Sequence, residues 1–258
     1  GVYATCVLHN TDLIICSHFE LPSQANLGQH IIMLWKWVNS GTQVFILDLD
    51  GTLMPTAEID NVCFWQAVFN CLGDPGQLPE LHQFVNVTDS GILHEWCVST
   101  LGRAASPEET MQIKHDFGQL LESAFADQPQ HFTPIPGVVD WLEAINAHDH
   151  VLAGIATGGW RHSARLKLKL SGLDRFELPL ASSDDAIKRT EIMQLAARRT
   201  LDHPPAPQAG FTYVGDGTWD LQASRELDWR FIGIATGNRA SELKQAGADH
   251  VLENFCKI

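Results

Sequence analysis

Positive charge is scarce in this chain. Its 258 residues include 17 Lys and Arg against 31 Asp and Glu, a formal net charge of −14. Nucleic acids and anionic membranes both attract basic surfaces, so this balance argues against either of them as a partner. An anionic substrate would have to be bound by a metal ion or by local cations, against the overall field of the protein.

Several other signals are missing. No Cys-x-x-Cys pair occurs, so a structural zinc site is not expected. The cysteines are scattered, as is typical of reduced thiols in a cytoplasmic protein, and they occupy positions 6, 16, 63, 71, 97 and 256. No apolar run is long enough to span a bilayer. The Gly-x-Ser-x-Gly motif of many serine hydrolases is also absent.

The length and the hydrophobic fraction of 45% suit one large domain, or a domain with an insertion. Residues 1–40 have weak periodicity, and we treat them as an uncertain N-terminal extension. Met33 is the only methionine before residue 48. The residues before Met33 are interpreted as a tag, a translated upstream region or a fragment end, outside the core fold.

The most informative segment is residues 44–53, Val-Phe-Ile-Leu-Asp-Leu-Asp-Gly-Thr-Leu. Its apolar run predicts a buried strand that ends at two aspartates, Asp48 and Asp50. Unpaired buried carboxylates are costly, and a hard divalent cation would neutralise them. The alternative is an ordinary acidic turn, since Asp-Gly is a common turn pair.

The chain after this segment divides into two parts. Residues 54–135 have a helical pattern, which includes a capping box at Ser106-Pro107-Glu108-Glu109, and they predict an inserted helical cap. From residue 136 onward, helices and short apolar strands alternate. This pattern predicts an α/β fold with a Rossmann-like parallel sheet, formed by residues 41–53 and 136–258.

Four predicted strands end in polar residues. In parallel sheets, ligands bind beyond the carboxyl ends of strands, so these residues are candidates for one site. The four stretches are Asp48 to Thr52, Thr157-Gly158-Gly159, Asp184 to Arg189, and Asp216-Gly217-Thr218-Trp219-Asp220. Thr157 has the alternative of a helix-capping hydroxyl, and Asp216 with Asp220 that of a solvated turn with a helix cap.

This set of motifs, in this order, resembles the haloacid dehalogenase-like hydrolase superfamily. The likeness covers roughly residues 43–255 and is greatest to phosphoglycolate phosphatases and β-phosphoglucomutases, which carry a helical cap after the first motif. The resemblance implies an aspartate-nucleophile phosphatase with Mg²⁺ as cofactor. A small phosphorylated metabolite would be its partner, because a cap of this kind limits access by larger substrates.

The resemblance also implies roles for individual residues. Asp48 would be the nucleophile, and Asp50 the general acid and base whose backbone carbonyl also binds the metal. Phosphoryl oxygens would be bound by Thr157 and Gly158, and we place Thr52 with them. The metal ligands would be Asp48, Asp50, Asp216 and Asp220.

Lys188 is expected to be the cation between the nucleophile and the phosphate. The family's lysine is often followed by proline, whereas Arg189 follows here, so Arg189, Lys167 and Lys169 remain alternatives. Trp160 and Arg161 are candidates for one wall of the substrate pocket, although Trp160 could simply pack in the core.

We therefore expect Mg²⁺-dependent hydrolysis of a small phosphomonoester through an aspartyl-phosphate. A phosphomutase shares all four motifs and stays open as an alternative. A dehalogenase needs only the first aspartate, so Asp50 and the acidic fourth motif argue against it. A non-catalytic member of the fold would be expected to have lost Asp48, Asp50 or Asp216.

Overall fold

The computed structural model describes residues 41–73, 78–201 and 209–258. The proposed N-terminal extension, residues 1–40, lies outside these ranges. Among the described residues, no helix combines the length and apolar character that crossing a bilayer requires.

A six-stranded parallel sheet forms the centre of the protein, in the order β3-β2-β1-β4-β5-β6. The strands are β1 (Gln43–Leu47), β2 (Val151–Ala156), β3 (Leu180–Ala181), β4 (Gly210–Gly215), β5 (Arg230–Ile234) and β6 (Val251–Leu252). Every residue of β1 is buried, as expected for a strand that has neighbours on both edges and helices on both faces. The predicted α/β fold with a parallel sheet is confirmed.

Helices cover both faces of the sheet. They are α4 (Val138–Asn146), α5 (Arg161–Ser171), α6 (Arg189–Leu201), α7 (Thr218–Glu226) and α8 (Gly237–Gln245). Apolar residues of α4 and α5 pack on one face of the sheet, and those of α6, α7 and α8 pack on the other. Burial of these two apolar layers is the main source of stability for the α/β part.

The helical segment, residues 54–135, lies in the chain between β1 and α4. It contains α1 (Ala57–Leu72), α2 (Asp89–Leu101) and α3 (Pro107–Asp127). Ser106 caps α3: its hydroxyl accepts a bond from the Glu109 backbone N–H at 3.2 Å, and the Glu109 side chain accepts one from the Ser106 N–H at 2.7 Å. The capping box in the sequence therefore starts this helix as predicted.

The helical segment has its own hydrophobic cluster, which is rich in aromatic residues. Phe64 of α1 and Phe117 of α3 meet there with their rings 6.0 Å apart. Trp160, from the loop between β2 and α5, inserts into the same cluster. The indole of the α/β part thus fixes the helical segment over the carboxyl ends of the strands.

Candidate active site

A cavity of about 100 Å³ lies between the helical segment and the carboxyl ends of the central strands. Asp48 and Asp50 reach it from the loop after β1, Thr157 from the loop after β2, and Asp216 from the loop after β4. These strands are neighbours in the sheet, which is why motifs far apart in the sequence meet here.

Three buried carboxylates form a cluster at this edge. Asp48, Asp216 and Asp220 each offer an oxygen within 4.8 Å of the other two. Their side chains are buried, so Asp216 and Asp220 do not form a solvated turn, although Asp220 does cap α7 by accepting the Gly217 N–H at 3.0 Å. Hard oxygen ligands at this spacing suit Mg²⁺, and Asp220 Oδ1 accepts no hydrogen bond, although it forms an ion pair with Arg189.

The carboxyl groups of the cluster have raised pKa values. Burial, followed by the charge of Asp220, raises the pKa of Asp48 to about 8. Burial also raises the pKa of Asp216 to about 7 and that of Asp220 to about 6. A bound divalent cation would oppose these shifts, because it favours the ionised carboxylates.

Arg189 is the cation beside Asp48. One of its guanidinium nitrogens lies 3.4 Å from Asp48 Oδ1 and 3.3 Å from Asp220 Oδ1. The other donates a hydrogen bond to the Val87 carbonyl at 2.7 Å, which ties the guanidinium to the helical segment. Arg189 is the first residue of α6, so its position follows from where that helix begins.

Asp50 lies in a separate network of hydrogen bonds. Its Oδ1 accepts a bond from the Thr56 hydroxyl at 2.5 Å, and its Oδ2 accepts one from Lys167 Nζ at 2.5 Å. Lys167 also donates to Asp60 Oδ1 at 2.5 Å. Burial lowers the pKa of Lys167, but the charges of Asp50 and Asp60 outweigh this effect, and the net pKa is raised.

The loop after β2 presents Thr157 to the cavity. The Thr157 hydroxyl accepts a hydrogen bond from the Gly159 N–H at 3.0 Å. Its own proton has no acceptor among the described residues and is available for a phosphoryl oxygen. The helical segment fixes this loop through Asp89: its N–H donates to the Gly158 carbonyl, and its carboxylate accepts from the Trp160 N–H, both at 2.8 Å.

Five predicted site residues do not line the cavity. Asp220 is fully buried and contributes to the site only through the carboxylate cluster. Lys188 is exposed, and Arg189 occupies the place expected for it. Thr52 is fully buried, and its hydroxyl has no hydrogen-bond partner. Trp160 packs in the cluster of the helical segment, and Arg161 forms an ion pair with Asp185, so neither lines the substrate pocket. The packing alternative for Trp160 is therefore the correct one.

Sequence reasoning missed several residues that line the cavity. Asp60 and Asn61 of α1 and Arg239 of α8 are among them, and Arg239 forms an ion pair with Asp216. Arg239 follows the carboxyl end of β5, so the rule that located the other motifs could have found it. Asp60 and Asn61 give no such signal, because their orientation depends on how α1 docks.

Comparisons with known proteins identify the family and the fold. The sequence profile of the haloacid dehalogenase-like hydrolase family matches residues 45–234. A comparison with curated proteins finds no match.

Solved structures with the same fold include a hydrolase from Pseudomonas syringae. It is 25% identical, with a TM-score of 0.63 over 84% of this chain and 95% of that one. CbbY from Rhodobacter sphaeroides, solved with phosphate, is 20% identical, with a TM-score of 0.61 over 84% and 96%. A mutant of that protein was solved with xylulose-1,5-bisphosphate.

A family IA hydrolase of the same superfamily from Entamoeba histolytica is 15% identical, with a TM-score of 0.63 over 84% and 95%. The family profile covers well over half of the chain and includes all four strand-end motifs, which bring Asp48, Thr157, Arg189 and Asp216 to the cavity. The chain therefore belongs to the haloacid dehalogenase-like hydrolase family.

Proposed function

We propose that this protein is a Mg²⁺-dependent phosphatase that hydrolyses a small phosphomonoester through an aspartyl-phosphate on Asp48. The observation that supports this most is the position of Asp48. It is a buried carboxylate at the end of the central strand, it faces a small cavity, and Asp216, Asp220 and Arg189 surround it.

The first step is an attack by a carboxylate oxygen of Asp48 on phosphorus. The bond between phosphorus and the ester oxygen breaks, and the protonated form of Asp50 gives its proton to the departing alcohol and becomes a carboxylate. In the second step Asp50 takes a proton from water, whose oxygen attacks phosphorus and releases Asp48 and inorganic phosphate. Both proton transfers require the Asp50 carboxyl to be held in one place, near the ester oxygen in the first step and near the attacking water in the second.

The residues that would hold Mg²⁺ are Asp48, Asp216 and Asp220, with the backbone carbonyl of Asp50. The ion would supply positive charge that offsets the repulsion between the phosphate and these carboxylates. The Arg189 guanidinium adds a fixed positive charge beside Asp48 and Asp220, and the free proton of the Thr157 hydroxyl suits a phosphoryl oxygen. The Thr52 hydroxyl has no part in this scheme.

The position of the cavity favours a small metabolite. It lies between the helical segment and the sheet, and the helical segment limits access by larger substrates. We propose that the helical segment acts as a cap that excludes bulk water during the reaction. Relatives of the same fold that were solved with phosphate and with a sugar bisphosphate are consistent with a small phosphate ester.

A panel of small phosphate esters, assayed for phosphate release with Mg²⁺ and with EDTA, tests the proposal. We expect turnover that needs the metal and that is lost in Asp48→Asn. Asp249→Asn is the matched control, since Asp249 is an exposed aspartate near the end of α8, outside the cavity. Phosphate release that is unaffected by Asp48→Asn would contradict the mechanism.

The same panel separates the alternatives. Isomerisation of a sugar phosphate in a coupled assay, without net release of phosphate, would indicate a phosphomutase. A purified protein that releases no phosphate from any ester would favour a non-catalytic role for the fold.

A further inference from the structure

Lys167 is a charged side chain with no exposed surface, and the reaction described above does not use it. It lies on α5, behind the wall of the cavity, and does not itself line the cavity. An ammonium group is rarely buried in this way unless it is paired, because it loses its hydration. Its two partners are therefore the starting point for its role.

The two partners come from different parts of the protein. Asp50 belongs to the loop after β1, and Asp60 belongs to α1 of the helical segment. Lys167 Nζ lies 2.5 Å from Asp50 Oδ2 and 2.5 Å from Asp60 Oδ1. One ammonium thus joins the α/β part, the helical segment and the carboxylate assigned to proton transfer.

The contacts of Asp50 leave its side chain little freedom. Lys167 binds one carboxylate oxygen, and the Thr56 hydroxyl binds the other at 2.5 Å. Thr56 precedes α1, so this second contact also comes from the helical segment. Charge-assisted hydrogen bonds of this length are strong and directional, and together they fix the carboxylate plane.

We propose that Lys167 is a positioning residue for Asp50, and that Asp60 in turn holds Lys167 in place through the helical segment. The inference rests on the proposed function, since it assigns to Lys167 the task of placing the acid and base of that reaction. Lys167 touches neither the ester nor the nucleophile. Its removal is therefore expected to slow proton transfer and to leave substrate binding largely intact.

The first test compares Lys167→Met with Lys169→Met. Both lysines lie on α5 two residues apart, but Lys169 is exposed and outside the cavity. With an alkyl phosphate, we expect Lys167→Met to lose kcat by about 10–100-fold with a nearly unchanged KM, because misplaced catalytic groups cost about this much. Lys169→Met should behave as the unaltered protein.

A second measurement excludes a purely structural effect. An aryl ester such as p-nitrophenyl phosphate releases a stable anion and needs no proton from Asp50 in the first step, whereas water attack still needs the base. Lys167→Met should therefore release about one equivalent of nitrophenol in a burst, followed by a slow steady state. A protein with a generally weakened fold would lose both phases together and would show no burst.

Asp60→Asn covers the case in which Lys167→Met fails to fold. It removes the charge of the partner on the helical segment and leaves the contact between Lys167 and Asp50. We expect a smaller loss of kcat, with the same contrast between the alkyl and the aryl ester.

The outcomes distinguish the inference from the proposed function. An unaltered protein that hydrolyses no ester refutes the proposed function and removes the basis of the inference. An active protein that loses turnover in Asp48→Asn, but keeps full kcat on the alkyl ester in Lys167→Met, overturns the inference alone. If Lys167→Met does not fold, equal loss on both esters in Asp60→Asn overturns it.

Discussion

Replacement of Gly51 by alanine tests the proposed metal site most directly. The Gly51 φ of +78° lies in the left-handed region, and a β-carbon at this position would overlap the Asp216 carboxylate. Replacement by alanine should therefore have two separate effects. The backbone strain costs about 1–2 kcal/mol of folding free energy, and the overlap forces Asp216 to move.

Gly102→Ala is the matched control for the first effect. Gly102 ends α2 with a φ of +69°, and a β-carbon there would meet nothing within 4 Å. We expect urea denaturation to show a similar loss of stability for both variants. Only Gly51→Ala should bind Mg²⁺ more weakly, by about 10–100-fold in calorimetric titration, because displaced groups around a metal typically cost this much.

Turnover at limiting Mg²⁺ should fall in parallel with the metal affinity, and excess Mg²⁺ should restore part of it. If Gly51→Ala bound Mg²⁺ as tightly as Gly102→Ala does, Asp216 would not be the metal ligand that the geometry suggests. A large loss of Mg²⁺ affinity in Gly102→Ala would show instead that general destabilisation produces the effect.

Three other outcomes are expected. Burial raises the pKa of Asp48 to about 8 and that of Asp216 to about 7, so the metal-free folded protein holds protons that the unfolded chain releases. The melting temperature of the protein in EDTA should therefore fall as the pH rises from about 4 to about 8, and a rise would contradict this reasoning. Asp185 accepts hydrogen bonds at 2.8 and 2.9 Å from Arg199. Asp185→Asn should therefore lower the free energy of unfolding, measured in urea, by about 1–3 kcal/mol, and an unchanged midpoint would show that these bonds contribute little. Phe117 is 1% exposed, so Phe117→Ala should lower the free energy of unfolding by about 3–5 kcal/mol. A loss below about 1 kcal/mol would mean that neighbouring side chains fill the space left by the phenyl ring.

The sheet and the acidic site were predictable from the sequence because their signals are local. The apolar run before Asp48 ends within one residue of the observed end of β1, since a buried parallel strand has to be apolar throughout. Carboxylates at such ends have no packing role, and so they marked the site. The capping box at Ser106 likewise located the start of α3 from residues only three positions apart.

The choice between Lys188 and Arg189 could not be made in this way. Arg189 is the first residue of α6, and Lys188 lies directly before it. Successive residues at a helix start point in directions about 100° apart, so the exact residue at which the helix begins decides which side chain faces Asp48. That residue depends on how the helix packs against the sheet, which is a long-range property.

The same limit explains the other misassignments. Trp160 follows the phosphate-binding motif directly, and this made it a candidate for the pocket. Its burial depends on Phe64 and Phe117, which lie more than 40 residues away in the sequence and whose rings lie 5.5 and 6.0 Å from the indole. Asp60 was missed for the converse reason, because its partner Lys167 belongs to a helix that is distant in the sequence.

The insertion of Trp160 into the helical segment limits how far the two parts of the protein can separate. Any movement that withdraws α3 from α5 must bring this indole into water, at a cost of about 2–3 kcal/mol. The same residue donates its backbone N–H to Asp89, so the loop that carries Thr157 would lose a support at the same moment. Opening of the proposed cap and the order of the loop that carries Thr157 would thereby be coupled through one aromatic side chain.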